Sequence, residues 1–363
     1  MSKLTTALGL MSGTSLDGID VALIRTDGEN IVERGPSQTY AYSEAQRSLL
    51  QAALKDAKGL ERRDERPFGL AKAEAALTDW HLQAVENFLK TNPTTIDVIG
   101  FHGQTVIHRP EIRLTVQLGD GSALAKKLGV PVVYDIRAAD VATGGQGAPF
   151  VPVYHRALAA SVPERPVVFV NIGGVSNITW IGSQGDMIAF DTGPGNALID
   201  DWALKHTGIA RDNNGALAAG GSANESVVQK YLGLSFFNVA PPKSLDRNSF
   251  AAINLDGLSA KDGAATLVEV TARTIAKAKS WLPETPKAWI ICGGGRHNPV
   301  IMKALRNRLP NVQAAEAYGF NGDSVEAEAW AYMAVRSLNK LPLSFPMTTK
   351  VKEPMTGGVL ALP

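Results

Sequence analysis

Cysteine is almost absent. Cys292 stands alone among 363 residues, so no disulfide can close within the chain and no cysteine-rich metal site can form. A reducing compartment fits that usage. An excess of one charge is missing too. The 36 basic and 35 acidic residues leave a net charge of +1, too small a field to hold nucleic acid or an anionic membrane over a wide surface. Long apolar runs are also lacking, and none reaches the roughly 18–20 residues a transmembrane helix needs. The first apolar run is cut by Ser12, Gly13 and Asp17, and Lys3 is its only early positive charge, unlike a secretory signal. The chain is therefore expected to be cytoplasmic, with neither a nucleic acid nor a membrane as partner. Low-complexity tracts and short-period repeats are absent as well.

What is present is an ordinary globular composition, 45% apolar and 20% charged. The length predicts two domains at roughly 100–200 residues each. Residues 5–10 and 19–24 read as a β-hairpin joined by a long polar connection, with a third strand near 31–34. Ser43 and Gln46 form a capping-box pair ahead of a helix. Leu70, Ala73, Leu77, Trp80, Ala84 and Phe88 share one helical face. Strands at 96–100 and 131–134 flank a short helix at 122–128. The second half repeats the scheme. Strands at 167–171, 177–181 and 187–190 lead to a helix at 196–206, a long helix at 264–282, a strand at 288–292 and helices at 298–309 and 325–338. Strands alternating with helices imply mixed sheets covered on both faces. The repetition implies two related α/β domains with a cleft between them. The expected bounds are 1–140 and 141–363, with the C-terminal tail completing the first domain.

Glycine, 35 in all, marks the candidate chemistry. In Gly9-Leu-Met-Ser-Gly-Thr-Ser-Leu-Asp-Gly-Ile-Asp20, Gly13 lets backbone approach a ligand, and Ser12, Thr14 and Ser15 add hydroxyls to backbone N–H groups. Such a set suits phosphate. Asp17 and Asp20 can hold a hydrated Mg²⁺, an ion that prefers oxygen ligands. No Gly-Lys-Ser/Thr follows, so this is no Walker A loop. An ordinary polar hairpin turn is the bland alternative. A second cluster joins Asn171-Ile-Gly-Gly-Val-Ser-Asn177 to Phe190-Asp191-Thr-Gly-Pro-Gly-Asn196. Its glycines precede a helix N-terminus, a place that favours anions. Asp191 closes an apolar strand and can take a proton. Its plainer fate would be to cap the following helix. The third cluster, Cys292-Gly-Gly-Gly-Arg-His-Asn298, offers bare backbone to a flat ring or a sugar, and a tight strand-to-helix turn is the alternative. Gly100-Phe-His-Gly-Gln-Thr105, Asp135-Ile-Arg-Ala-Ala-Asp140 and Gly144-Gly-Gln-Gly-Ala-Pro149 put polar groups on loops at strand ends. These suit a hydroxylated, anionic small molecule, whose carboxylate Arg137 could grip with two prongs. His102, taken alone, reads as a structural histidine, as does His81.

Together these motifs, in this order and over nearly the whole chain, resemble the bacterial anhydro-N-acetylmuramic acid kinases of the actin/hexokinase/Hsp70-type ATPase superfamily. The resemblance implies two actin/hexokinase-like, ribonuclease H-like α/β domains with mixed sheets flanking a central cleft. It implies an enzyme of peptidoglycan recycling that uses ATP, Mg²⁺ and water to turn 1,6-anhydro-N-acetylmuramic acid into N-acetylmuramic acid 6-phosphate. Carried onto this sequence, it makes Asp191 the catalytic base. Gly13, Thr14, Ser15, Asp17, Gly18 and Asp20, with Gly173, Gly174, Gly193, Gly195 and Asn196, become phosphate and nucleotide contacts, with Mg²⁺ on Asp17 and Asp20 through water. Gly293, Gly294 and Gly295 would border the adenosine. His102, Gln104, Thr105, Arg137 and Glu326 would touch the sugar. A homodimer is implied by the resemblance alone. Two other readings stand beside it: a kinase for another anhydro sugar such as levoglucosan, and an ATP-gated sugar sensor without turnover.

Overall fold

The computed structural model describes residues 4–13, 15–245 and 253–363. Contacts divide the chain into two compact units, 1–160 with 324–363, and 161–323. The boundary expected at 140 therefore lies at 160, and the 325–338 helix belongs to the first unit rather than the second.

In the first unit, β1 (Thr5–Met11), β2 (Gly18–Thr26) and β3 (Val32–Ala41) form an antiparallel meander. β4 (Val98–Phe101) and β7 (Val132–Tyr134) continue the sheet in parallel beside β1. The Val359–Ala361 strand closes the far edge, antiparallel to β7. β5 (Gln104–Arg109) and β6 (Leu114–Leu118) make a separate hairpin, where polar loops were expected. Leu8, Leu10, Val21 and Ile99 pack under the Leu70–Thr91 helix through Leu77, Val85 and Phe88, all with negligible exposure. The other face of the sheet takes the Val325–Leu338 helix. A Cβ on Gly9 would lie 1.8 Å from the Ala327 carbonyl oxygen, and one on Gly100 would lie 2.0 Å from that of Trp330. Only glycine on both strands admits a helix backbone this close, and that contact is why the helix joins the first unit.

The second unit repeats the order. β8 (Val167–Ile172), β9 (Val175–Ile181) and β10 (Met187–Pro194) form the meander, with a bulge between Asp191 and Gly193. β11 (Ala288–Cys292) and β12 (Val312–Ala314) run parallel to β8, giving the order β10-β9-β8-β11-β12. The long helix is Ala260–Lys277, capped by the Ser259 side chain on the Asp262 N–H. Its buried residues Ala264, Leu267, Val268 and Ile275 pack in one core with Val168, Val170 and Phe190. Each unit thus carries a mixed sheet, an antiparallel meander extended by two parallel strands, with the Val359–Ala361 strand as a sixth in the first unit. Among the described residues no helix is long and apolar enough to cross a membrane.

Candidate active site

In parallel neighbours the carboxyl ends of the strands share one edge of the sheet, where α/β folds bind ligands. In the first unit that edge holds Ser12–Gly13 after β1, His102 after β4 and Arg137 after β7. Their bonds form a chain. The Ser12 hydroxyl donates to the Gly103 carbonyl at 2.9 Å, and the Gln104 amide reaches the Gly13 carbonyl at 3.2 Å. His102 Nδ1 lies 3.1 Å from the Ser12 carbonyl oxygen, and Arg137 Nε donates to His102 Nε2 at 3.1 Å. Arginine can only donate, so Nε2 is the acceptor and Nδ1 carries the proton. Burial, with the Arg137 charge second, holds His102 well below the usual imidazole range and keeps it neutral. Its ring lies 4.5 Å from that of Trp330, tilted by 41°.

This arrangement changes the part several sugar-contact candidates can play. Both ring nitrogens of His102 are spent inside the protein. Gln104 has no exposed surface, although its Oε1 is buried without a partner. The Thr105 hydroxyl accepts from Gln117. Arg137 spends a second donor on the Gly147 carbonyl at 2.7 Å, so less of its fork remains for a substrate carboxylate than the sequence implied. Burial lowers the guanidinium to about 10, opposed by the charges of Glu326 and Asp140. Glu326 is half-buried on the Val325–Leu338 helix. Nearby, a pocket is lined by His102, Gly103, Gln117, Gly119, Tyr134 and Asp135, with Arg63 and Arg66.

The hairpin connection is open where a ligand would need it. A Cβ on Gly13 meets nothing closer than 3.6 Å, and Ser15 and Asp17 are exposed. Thr14 lies outside the described residues. Ser12 is fully buried, so its hydroxyl serves the fold and not an anion. Gly18 sits inside β2, where a Cβ would come within 2.4 Å of the Tyr40 carbonyl oxygen, which is a packing reason for glycine. Asp20 accepts from Thr39 at 2.6 Å. Asp17 and Asp20 offer hard oxygen donors. No cluster of three or more metal-ligating side chains occurs among the described residues. That set fits a hydrated Mg²⁺, which takes one or two carboxylates and keeps its waters, and does not fit zinc.

In the second unit the corresponding edge is mostly bare backbone. Gly174 and Gly294 are exposed, and a Cβ on Gly173 or on Gly294 would meet nothing within 3.6 Å. Gly193, Gly195, Gly293 and Gly295 are filled from within, by Thr274, the Gly173 carbonyl, Asn171 and Ile172 respectively. Gly293 also needs its φ of +73°. Asn196 heads the Ala197–Thr207 helix, its N–H bound to the Gly173 carbonyl and its side chain to that of Ile172. Arg296, buried, braces the triple-glycine turn by donating to the Gly293 carbonyl at 3.0 Å while gripping Asp323 and Glu316.

Asp191 does not cap the following helix. Its Oδ2 accepts from the Leu245 N–H at 2.7 Å, and its own N–H donates to the Lys243 carbonyl at 2.9 Å. Among the described residues no side chain or second N–H donates to the carboxylate. Burial raises it to about 7, against the lowering effect of the Leu245 bond. That value suits a general base near neutral pH. Lys243 and Leu245 were missed in the sequence, where only the run of Pro241, Pro242 and Lys243 after Phe236-Phe237 set the segment apart.

A family model described as anhydro-N-acetylmuramic acid kinase matches residues 5–362. The anhydro-N-acetylmuramic acid kinase of Bradyrhizobium diazoefficiens is 55% identical over 364 residues, covering 99% of both chains. That of Agrobacterium fabrum is 53% identical over 370 residues, again covering 99% of both. Among solved structures, component A of (R)-2-hydroxyglutaryl-CoA dehydratase from Acidaminococcus fermentans aligns with a TM-score of 0.48 at 11% identity, covering 93% of this chain and 100% of that one. The chain belongs to the anhydro-N-acetylmuramic acid kinase family.

Proposed function

We propose that this chain is an ATP-dependent sugar kinase that converts 1,6-anhydro-N-acetylmuramic acid to N-acetylmuramic acid 6-phosphate while opening the anhydro ring with water. Full-length identity above one half to anhydro-N-acetylmuramic acid kinases supports the substrate. The observation that carries the mechanism is Asp191, a carboxylate raised by desolvation to about 7 with the Leu245 N–H fixing one oxygen. The 6-oxygen of the substrate is an ether and has no proton to lose. A base therefore serves the reaction only through water. Asp191 takes a proton from a water that attacks the anomeric carbon opposite the bridge. The bond from that carbon to the bridge oxygen breaks, the oxygen forms a bond to the γ-phosphorus, and ADP leaves. An inverting glycosidase needs a second carboxyl to protonate the leaving oxygen. Here the phosphoryl group captures it instead.

Bare N–H groups at Gly13 and Ser15 in the first unit, and at Gly174 and Gly294 in the second, are suited to hold phosphate or nucleotide, while the Gly173 N–H is already spent on the Val175 carbonyl. Asp17 and Asp20 would hold Mg²⁺, which neutralises charge on the transferring phosphoryl. Arg137 and Glu326 remain candidates for the sugar. His102 and Gln104 would act behind them, by fixing the Ser12–Gly13 backbone and the Arg137 fork. The test is a coupled assay with ATP, comparing the anhydro sugar with plain N-acetylmuramic acid at equal concentration. Turnover should require the bridge. Equal rates would mean an ordinary hydroxyl kinase.

A further inference from the structure

β10 is the edge strand of its sheet, so the outward N–H of Asp191 has no strand to bond. Residues 243–245 lie along that edge instead. The Lys243 carbonyl accepts from the Asp191 N–H, and the Leu245 N–H donates to the Asp191 carboxylate. One three-residue segment thus fixes both the backbone N–H and one carboxylate oxygen of the same aspartate.

The Lys243 side chain is what holds that segment down. It is 9% exposed. Its ammonium donates to the Phe236 carbonyl at 3.0 Å and sits 4.6 Å from the Phe236 ring centroid, 5.4 Å from that of Trp281 and 5.8 Å from that of Phe190, the neighbour of Asp191 in β10. Burying an ammonium costs more than burying an apolar side chain of the same length. General core packing therefore gives no reason for a lysine here. A charge held by three ring faces and one carbonyl fixes its own backbone closely. The ammonium lies in the aromatic box, and the charged group acting on it is Lys277. Among the described residues no charged side chain acts appreciably on Asp191 itself, which feels burial and the Leu245 bond.

We propose that Lys243 is a positioning residue for the reaction, its caged ammonium anchoring the 243–245 segment that aims the Asp191 carboxylate at water. The inference rests on the reading of Asp191 as general base. Lys243→Met fills the aromatic box but cannot donate or carry charge, whereas Lys243→Arg keeps both properties. In the full-length enzyme with ATP and the anhydro sugar, kcat of the Met variant should fall about 10–100-fold, the range that small misplacements of a catalytic group cost. Its KM for ATP should stay within about twofold. The acid limb of kcat/KM should move to higher pH, because the Leu245 bond that lowers the Asp191 pKa is loosened. The Arg variant should recover most of the rate. If the Met variant does not fold, Lys243→Gln, which can still donate to Phe236 but carries no charge, gives the same readouts. The deciding measurement is the double variant. In an Asp191→Asn background the Lys243 substitution should cost less than about twofold more, since the group it positions is gone. Equal losses in both backgrounds, or no loss in the wild-type background, would overturn the inference while the base reading stands. Near-normal turnover by Asp191→Asn alone would overturn both.

Discussion

Asp191, the proposed general base, carries a cost in stability. An unfolded aspartate loses its proton near pH 3.9, whereas the folded carboxylate keeps it to about 7. Between those values the folded state binds more protons, so this group's contribution is fully present below about 3.9 and is lost as the pH rises through 7. Asp191→Asn removes that loss. At pH 8 the Asn variant should be more stable than the wild type by up to about 4 kcal/mol, at about 1.4 kcal/mol per pKa unit, as read from urea midpoints. Its kcat should fall about 10²–10⁴-fold with ATP affinity little changed. The wild-type kcat/KM should drop below pH 7 as the base is protonated. An Asn variant that is both active and less stable would make Asp191 a structural group. The residue itself was legible in the sequence, as a carboxylate closing an apolar strand beside glycines. Its hydrogen-bond partner was not. Leu245 lies 54 residues away and contributes a backbone N–H, which leaves no mark in the side-chain pattern.

The elements with clear periodicity were legible, and their destinations were not. The Val325–Leu338 helix has apolar side chains on nearly every side and is buried almost throughout, so its sequence carries no polar face to say where it docks. Sequence adjacency put it with the second domain. The two glycines that receive it, Gly9 and Gly100, are more than 200 residues upstream, each inside what reads as an ordinary strand. The β5–β6 hairpin was missed for the converse reason. Gln104, Thr105, His108 and Arg109 look like loop residues, and only pairing with residues 114–118 makes them a strand. Gly100→Ala tests the docking directly. The new methyl would fall on the Trp330 carbonyl, a rigid neighbour, so the helix must move. Overpacking of this kind costs about 1–3 kcal/mol and at times more, and the upper end or beyond is expected here. Ala at this position with an unchanged urea midpoint would mean the helix does not lie on β4. The same variant should weaken the enzyme's hold on the sugar if Glu326, carried by that helix, contacts it.

Across the whole molecule, the buried histidines and Asp191 respond to pH in opposite directions, and they belong to different units. His81, His102 and His155 all belong to the first unit, and each is held neutral by burial. His81 is pushed down to about 4, despite its bond to the Leu77 carbonyl, and His155 to about 3. An unfolded histidine takes its proton near 6.5. Below that pH the unfolded chain binds more protons, so stability falls as the pH drops from 6.5 toward the folded values. At pH 5 His81 and His155 should each cost about 2 kcal/mol, a large part of the roughly 5–15 kcal/mol a domain possesses. Asp135 and Glu328, in the same unit, have carboxyls raised by burial and work the other way. The histidine share is therefore read from a difference between variants, not from the whole slope. His81→Gln keeps a donor for the Leu77 carbonyl and cannot be protonated. Hydrogen exchange at pH 7 and pH 5, read separately for peptides of residues 1–160 and 161–323, should show the first unit opening more readily at pH 5. His81→Gln should recover about 2 kcal/mol of that loss, and the second unit, whose Asp191 favours the lower pH, should not weaken in parallel. If the Gln variant kept the full pH dependence, His81 would be protonated in the folded state, and its burial against Phe101 would have to carry a charge.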